Sequence, residues 1–237
     1  MPEIVSVAYW TELHTPPQAR EAKGLRALFE TLADRCGYTS FKALAPAGAM
    51  MASDEPAPGG EPESYVAVMP DRIAVRERRP GGVSLEQFQE RVEQAVQGSS
   101  KAFEIPFFWL QRACVQVLLP QRRHPSAMQY VAEDLCALDA GRLAGHLGPL
   151  RMVGMRCVAG QGEPDGKLAT PTYDVQIESS LASQSATYVW ISATGSFPGP
   201  LPCTEPGGVS GNVRAVYDFV EGRVVPYVLG NPPPGSQ

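Results

Sequence analysis

The stretch from Ser64 to Pro120 constrains the fold of this chain most strongly, because its hydrophobic period changes from two residues to 3.6 within it. Residues 65–69 form a short apolar run, and Pro70-Asp71 supplies turn chemistry. In the next run Ile73 and Val75 alternate with arginines, which is the pattern of a strand with one solvated face. Two such runs joined by so short a turn predict a β-hairpin.

A helix and a strand are predicted after this hairpin. Ser84 and Gln87 form a capping box that marks the start of the helix. The residues that share one face at the 3.6-residue period are Leu85, Phe88, Val92 and Ala95. Residues 98–100, Gly-Ser-Ser, are predicted to end the helix. Residues 107–120 predict a strand that is apolar on both faces from Cys114 to Leu119 and therefore central in its sheet. This order predicts a ββαβ unit whose helix covers one face of an antiparallel sheet.

The segments DRIAV, SLEQFQERVEQAV and FEIPFFWLQRACVQVLLP, in this order, resemble a sporadically distributed family of uncharacterised bacterial proteins of similar length. In that family a strand carrying Asp-Arg-hydrophobic precedes a helix with a central Phe, and an Arg followed by a hydrophobic strand comes next. The matching positions here are Asp71, Arg72, Ile73, Phe88 and Arg112. The family usually has an Asn late in the last strand, where this chain has Leu-Leu-Pro at 118–120. The resemblance implies a fold and a bacterial origin, but no activity.

Three further elements are predicted before this unit. Residues 3–10 are apolar and β-prone and predict a strand. Thr15-Pro16 predicts the start of a helix, with Gly37 as the glycine after its end. Residues 38–44 predict another strand, and residues 45–63, rich in Ala, Pro, Gly and acidic residues, predict a long loop.

The C-terminal half is predicted to combine helices, a hairpin and long loops. Pro125 is predicted to open a helix that reaches Leu138, and a short helix is predicted after Asp139. Strands are predicted at 150–158, 173–178 and 187–194, and loops at 160–166 and 195–211. Residues 211–229 fit either a helix or a hairpin. We expect a helix to about Glu221 and an extended segment after it, because Pro226 forbids one continuous helix.

The predicted fold class is α+β, with an antiparallel sheet and helices packed on one face. We expect one domain over residues 1–230 and a disordered tail at 231–237. The order of elements is loosely similar in residues 1–120 and 121–230, which leaves open two ββα-type halves and an ancient duplication.

Composition restricts the compartment and the kind of partner. The formal net charge is −5, which favours a basic partner and argues against nucleic acid, since nucleic-acid binding requires a cationic surface. The N-terminal residues lack the basic region of a secretory signal, and no apolar run approaches the length of a membrane helix. Five cysteines without a CxxC pair argue against a disulfide framework or a zinc site. We therefore expect a cytoplasmic protein without metal or cofactor.

Few residues carry the pattern of a catalytic site. His124 lies beside Arg122 and Arg123 ahead of a predicted helix, where the three side chains form either an anion site or a solvated cluster. Cys203 lies in the predicted loop at 195–211 and is expected to be the exposed cysteine, although no histidine lies near it in the sequence. The arginines at 72, 76, 78 and 79 are interpreted as a solvated strand face, and the aromatic residues at 103 and 107–109 as core.

The leading functional hypothesis is a non-catalytic binding protein that acts by protein–protein contact, for example an acidic, immunity-like neutraliser of a basic toxin or nuclease. Its recognition element is predicted to be the loop at 196–208, with Phe197 and Leu201 as apolar anchors and Glu205 as a charge. The alternative is an enzyme that uses Cys203 or His124 together with carboxylates from another element.

Overall fold

In the computed structural model the protein is a nine-stranded antiparallel sheet with helices on one face. The structure describes residues 4–45, 47–53, 62–78, 83–148, 150–160, 171–179 and 187–230. The strands are β1 (Val5–His14), β2 (Ser40–Leu44), β3 (Gly48–Ala52), β4 (Ser64–Val68), β5 (Arg72–Glu77), β6 (Phe107–Pro120), β7 (Gly154–Gly160), β8 (Thr172–Ser179) and β9 (Tyr188–Pro202). The helices are α1 (Ala22–Cys36), α2 (Leu85–Phe103), α3 (Ala127–Tyr130), α4 (Ala140–Leu147), α5 (Pro206–Phe219) and α6 (Val225–Val228). The predicted α+β class with an antiparallel sheet is therefore confirmed.

The strand order across the sheet is β2-β3-β4-β5-β1-β6-β9-β8-β7, and every pairing is antiparallel. β6 lies between β1 and β9, so the prediction of a central strand is confirmed. Helices α1, α2 and α5 pack side by side on one face, where they contact β3, then β1 and β5, then β6 and β9. The buried side chains of these strands and helices form one continuous core that crosses both halves of the chain.

The predicted hairpin and the start of α2 are confirmed. β4 pairs with β5, and Met69 N donates to Arg72 O at 2.8 Å across the turn. Gln87 N donates to Ser84 Oγ at 3.2 Å while Ser84 N donates to Gln87 Oε1 at 2.8 Å, which completes the capping box.

The predicted end of α2 at residues 98–100 is wrong, because the helix continues to Phe103. Gly98 lies where α2 crosses α1, and a Cβ built on it would come within 2.6 Å of Leu28 Cδ1. The glycine therefore allows two helices to approach closely, and tertiary packing outweighs its low helix propensity.

The predicted start of α1 at Thr15-Pro16 is also wrong. The helix begins at Ala22, and Gly37 follows its end with a φ of +73°, as predicted. Thr15 instead ties the end of β1 to the β4–β5 turn, because its backbone N–H donates to Asp71 O at 2.9 Å. Its hydroxyl accepts from Arg20 Nη2 at 2.8 Å and so is not used as a helix cap.

The predicted loop at 45–63 contains a strand. β3 occupies Gly48–Ala52 and pairs with both β2 and β4. Four of its five residues are buried, and Met51 is fully so. Small residues at 48, 49 and 52 obscured the strand pattern because alanine and glycine have low β propensity.

The prediction of a loop at 195–211 is wrong, and the difference changes the surroundings of the predicted recognition residues. Residues 195–202 continue β9 along β6, and α5 begins at Pro206. β8 pairs with β9 only as far as Ser196, so the end of β9 has β6 on one side and no described strand on the other. Proline is tolerated on such an edge because the missing N–H would have pointed away from the paired strand. This edge position accommodates Pro198, Pro200 and Pro202 in a strand.

The C-terminal residues are helical as far as Val228, so the extended segment predicted after Glu221 is wrong. A π-helical turn over Val220–Val224 joins α5 to α6. The wider turn changes the backbone hydrogen-bonding register just ahead of Pro226, which therefore lies at the first turn of α6, where proline is tolerated.

Smaller differences affect the third helix and β7. α3 starts at Ala127 with Ser126 as its cap and continues through a π-helical turn over Val131–Leu135, so the predicted start at Pro125 is early. α4 follows Asp139, as predicted. β7 begins at Gly154, four residues after the predicted start.

The predicted tail at 231–237 lies outside the described residues. Among the helices that the structure describes, none has the length and apolar content needed to cross a membrane.

Candidate functional site

The face of the sheet opposite α1, α2 and α5 is not covered by any described helix, and we call it the open face. Strand alternation places Tyr9, Thr11 and Leu13 of β1 in the core and turns the residues between them outward. The registers with β5 and β6 align the outward side chains in rows. Those from the three central strands are Trp10, Glu12, His14, Arg72, Ala74, Arg76, Leu110, Arg112, Cys114 and Gln116.

One part of the open face combines aromatic rings with arginines, and we call it the aromatic–basic patch. It consists of Trp10, Glu12, His14, Arg72, Trp109 and Arg112. The Arg112 guanidinium carbon lies 5.8 Å from the Trp10 ring centroid, within cation–π range. Arg112 Nη1 is 3.9 Å from Glu12 Oε2, and His14 Nε2 is 3.8 Å from the same oxygen. The Glu12 carboxylate therefore lies between the Arg112 guanidinium and the His14 ring, beyond hydrogen-bond distance of both.

Trp109 is the most exposed large side chain of the patch, with half of its surface accessible. It lies at a β-bulge, where the register of β6 against β9 shifts between Phe108 and Leu110. Gly199 of β9 faces this bulge, and a Cβ built on it would come within 2.3 Å of Phe108 O. The glycine lets the two backbones approach, and the bulge turns the Trp109 ring outward to within 5.4 Å of the His14 ring.

A shallow groove of about 300 Å³ adjoins the patch. Trp10 and Glu12 form one wall, and Tyr65, Ala74 and Arg76 form the other. Arg76 Nη1 lies 3.5 Å from the Tyr65 hydroxyl. The groove extends the patch toward β4 and adds one more aromatic and one more basic side chain.

The charge of this region is opposite to that of the whole chain. The patch and its groove carry three arginines and one glutamate, whereas the chain has a net charge of −5. The imbalance gives the centre of the open face a local positive potential.

The far side of the open face is polar but internally paired. Arg156 Nε of β7 donates to Asp174 Oδ1 of β8 at 2.8 Å, and this hydrogen bond lowers the pKa of the Asp174 carboxyl. Gln116 Nε2 donates to Ser192 Oγ at 3.4 Å. The polar groups of these side chains are hydrogen-bonded to one another. The patch differs because exposed aromatic rings form part of its surface.

The structure buries Cys203, contrary to the expectation that it is exposed. Its relative accessibility is 5%, and its backbone N–H donates to Pro106 O at 3.1 Å. Burial raises the pKa of the Cys203 thiol to about 11, which is the opposite of what nucleophilic activation requires. Cys157 is the exposed cysteine.

His124 contacts two carboxylates that sequence spacing did not indicate. Its Nε2 lies 2.9 Å from Asp134 Oδ1, and its Nδ1 lies 3.8 Å from Glu133 Oε2. The two carboxylates approach opposite ring nitrogens and so do not converge on one point. Within the described ranges, no group of three or more His, Cys, Asp or Glu side chains is arranged to hold a metal ion.

His124 and Cys203 lie at opposite ends of β6. His124 lies four residues after Pro120, the last residue of this strand. Cys203 lies beside the start of the strand, where its backbone N–H donates to Pro106 O. Fourteen residues at about 3.3 Å each separate the two ends by roughly 40 Å. The two candidates therefore do not share a catalytic site.

The predicted recognition residues do not lie together on a loop. Phe197 is buried in β9, with its ring edge-on to Tyr173 at 6.3 Å, and Leu201 packs partly against the core. Glu205 is exposed immediately before α5. A partner would contact Glu205 without any rearrangement of the protein. The Phe197 side chain is packed in the core and is not accessible to a partner. A binding role for these residues stays a prediction.

Sequence reasoning missed the patch for two reasons. The strand predicted at 3–10 ended too early, so the outward positions of Glu12 and His14 were not recognised, and Trp109 was interpreted as core. The interpretation of Arg72 and Arg76 as a solvated strand face is confirmed by the register of β5. Trp109 and Arg112 are three residues apart in the sequence, and strict strand alternation would place them on opposite faces, so the bulge at Trp109 hid their grouping.

A comparison with models of known protein families finds no match, and a comparison with curated proteins finds no significant match. The resemblance of residues 64–120 to uncharacterised bacterial proteins therefore stays an expectation.

Proposed function

We propose that this protein is a non-catalytic binding protein that contacts a partner protein through the aromatic–basic patch. The observation that carries the proposal is the exposed Trp109 ring, grouped with Trp10 and Arg112 on a sheet face that none of the described helices covers. Tryptophan, tyrosine and arginine are the residues most enriched among those that dominate binding energy at protein interfaces. A rigid sheet also holds such side chains in place before binding, which reduces the entropy lost on association.

The charge of the patch favours a partner whose contact surface is acidic. The composition alone favoured a basic partner, because the chain has a net charge of −5. At physiological salt the Debye length is about 8 Å, so acidic groups on the helix side of the molecule are largely screened at the open face. The arginines of the patch therefore determine the sign of the charge that a partner meets at the open face. Neutralisation of a toxin by covering an acidic part of its surface is one version of this function.

We place the protein in the cytoplasm of a bacterium. Support for a reducing compartment comes from the cysteines, which are all free in the structure although Cys157 is exposed. The bacterial origin rests on the resemblance over residues 64–120.

The alternative, an enzyme, is favoured by one specific observation. The contact of His124 with Asp134 is the geometry by which a carboxylate orients a general base. The expectation that follows is a turnover that His124→Ala abolishes and that Trp109→Ala leaves unchanged.

The binding proposal is tested by affinity capture from the native host and by the affinity of the captured, purified protein for defined variants. Trp109→Ala and Arg112→Glu are each expected to weaken the affinity at least about tenfold, as for residues that dominate an interface. Arg26→Glu on the exposed side of α1 is the matched control for the charge change and is expected to leave the affinity unaltered. Increasing salt should weaken the wild-type complex, because arginines contribute to it.

Equal affinity of the wild-type protein and both patch variants would refute the patch as the contact surface. Loss of the captured material on nuclease treatment would show that the ligand is a nucleic acid and would refute a protein partner.

A further inference from the structure

The sheet has two outer edges, and β7 forms one of them. No described segment pairs with the outer edge of β7 or with that of β2 at the opposite end. An unpaired edge presents a row of backbone N–H and C=O groups that another strand can extend, and most proteins protect such edges.

β2 has the usual protection and β7 lacks it. β2 is five residues long, with Lys42 at its centre. β7 is seven residues long and contains no proline, and its single charged side chain, Arg156, is already bound to Asp174. Val158 of β7 is an apolar side chain, and 70% of its surface is nevertheless exposed.

We propose that two copies of this chain pair through β7, edge to edge and antiparallel, around a two-fold axis at Cys157. Cys157 is the middle residue of Gly154–Gly160, so this register pairs all seven residues. A two-fold contact brings the same surface of both copies together, and an axis at Cys157 places Gly154 opposite Gly160 of the second copy at both ends of the strand. Met155 faces Ala159 of the second copy, and Arg156 faces Val158 of the second copy.

Charges on the open face favour this register. Val158 is paired with Asp174 within one copy. In the dimer each Arg156 therefore lies in a row that continues through Val158 of the second copy to Asp174 of the second copy. Each row thus holds one basic and one acidic side chain on opposite sides of the two-fold axis, whereas a register centred on Arg156 would place two arginines opposite each other at a destabilising distance. The open faces of the two copies would form one continuous surface, with the aromatic–basic patches left uncovered.

Sedimentation velocity of the full chain tests this proposal between about 1 and about 100 μM, the range in which small interfaces associate. We expect the mass to rise from that of a 25.5 kDa monomer toward twice that value. Val158→Lys places an ammonium group opposite Arg156 of the second copy and should weaken association at least about tenfold. Leu147→Lys, at a side chain that is 71% exposed on α4, is the matched control and should dimerise like the wild type.

Cross-linking tests the register. Residues directly opposite each other in antiparallel strands have Cα atoms about 4.5–5.5 Å apart, which is within the range that a disulfide bridges. Diamide, which accepts the two electrons and two protons released, should join two chains through Cys157, and Cys157→Ser should abolish the cross-link while the non-covalent dimer persists. A monomer at every concentration, unchanged dimerisation of Val158→Lys, or a cross-link through another cysteine would each overturn the proposal.

Discussion

Gln111 is a fully buried amide whose hydrogen-bonding groups are all used. Its Nε2 donates to Thr11 Oγ1 at 3.0 Å and to Val209 O at 2.9 Å, and its Oε1 accepts from Asn212 Nδ2 at 2.8 Å. A single side chain on β6 thus joins β1 and α5 beneath the patch. Buried amides are costly unless every group is paired, so this network fixes the position of β6 relative to its neighbours.

Substitution by alanine is expected to cost much more stability at Phe88 than at Phe107. Phe88 is fully buried, with its ring 5.5 Å from that of Tyr9. Phe88→Ala should lower the free energy of unfolding by about 3–5 kcal/mol, because it leaves a cavity in the core. Phe107 is 39% exposed, and Phe107→Ala should cost less than about 1 kcal/mol. Urea denaturation followed by circular dichroism measures both, and equal midpoints for the two variants would show that the buried face of α2 is assigned wrongly.

At the scale of elements, the end of β9 explains how a sequence of prolines and glycines becomes part of the core. Residues 197–202 pair with β6 on one side, and Phe197 and Leu201 turn toward the core cluster. The free side of the strand accommodates the prolines. This segment therefore contributes to stability, which a surface recognition loop would not.

Replacing residues 197–202 by a Gly/Ser linker of equal length tests this assignment. The free energy of unfolding should fall by at least about 3 kcal/mol, because the loss of Phe197 alone removes a buried ring. Pro198→Ser, at an exposed position of the same strand, should shift it by less than about 1 kcal/mol. The measurement is chemical denaturation of the three proteins in parallel. A linker variant as stable as the wild type would mean that residues 197–202 are a passive connector.

At the scale of the whole molecule, the sheet joins the two halves of the sequence. β6 from residues 1–120 pairs along nearly its whole length with β9 from residues 121–230, and α2 packs against α5. The hydrogen bonds from Gln111 to Val209 and from Asn212 to Gln111 cross the same boundary. Neither half has a complete core without the other.

Expressing residues 1–120 alone should therefore give a chain without a cooperative unfolding transition. The exposed edge of β6 and the uncovered side of α2 would leave much of the apolar surface in water. Far-ultraviolet circular dichroism across a urea titration checks this, and adding residues 121–237 should restore a sigmoidal transition. A cooperative transition of the 1–120 fragment by itself would show instead that the first half is an independent folding unit.

The sequence by itself determined the features that depend on neighbours within a few residues. The β4–β5 hairpin, the capping box of α2, the glycine after α1 and the central position of β6 all follow from alternation, helical period or cap chemistry. These interactions are local, so their residue patterns are visible without knowledge of the fold.

Only the tertiary structure decided the features that depend on distant neighbours. α2 passes through Gly98 because α1 lies against it, and residues 197–202 form a strand because β6 pairs with them, although β8 begins only at Thr172, the partner of Ser196. The patch is a tertiary feature for the same reason, since Trp10, Arg72 and Arg112 come from three strands that only the sheet order places side by side. Local propensities contribute about 1 kcal/mol per residue or less. The free energy gained when an apolar side chain is buried against a distant element is larger.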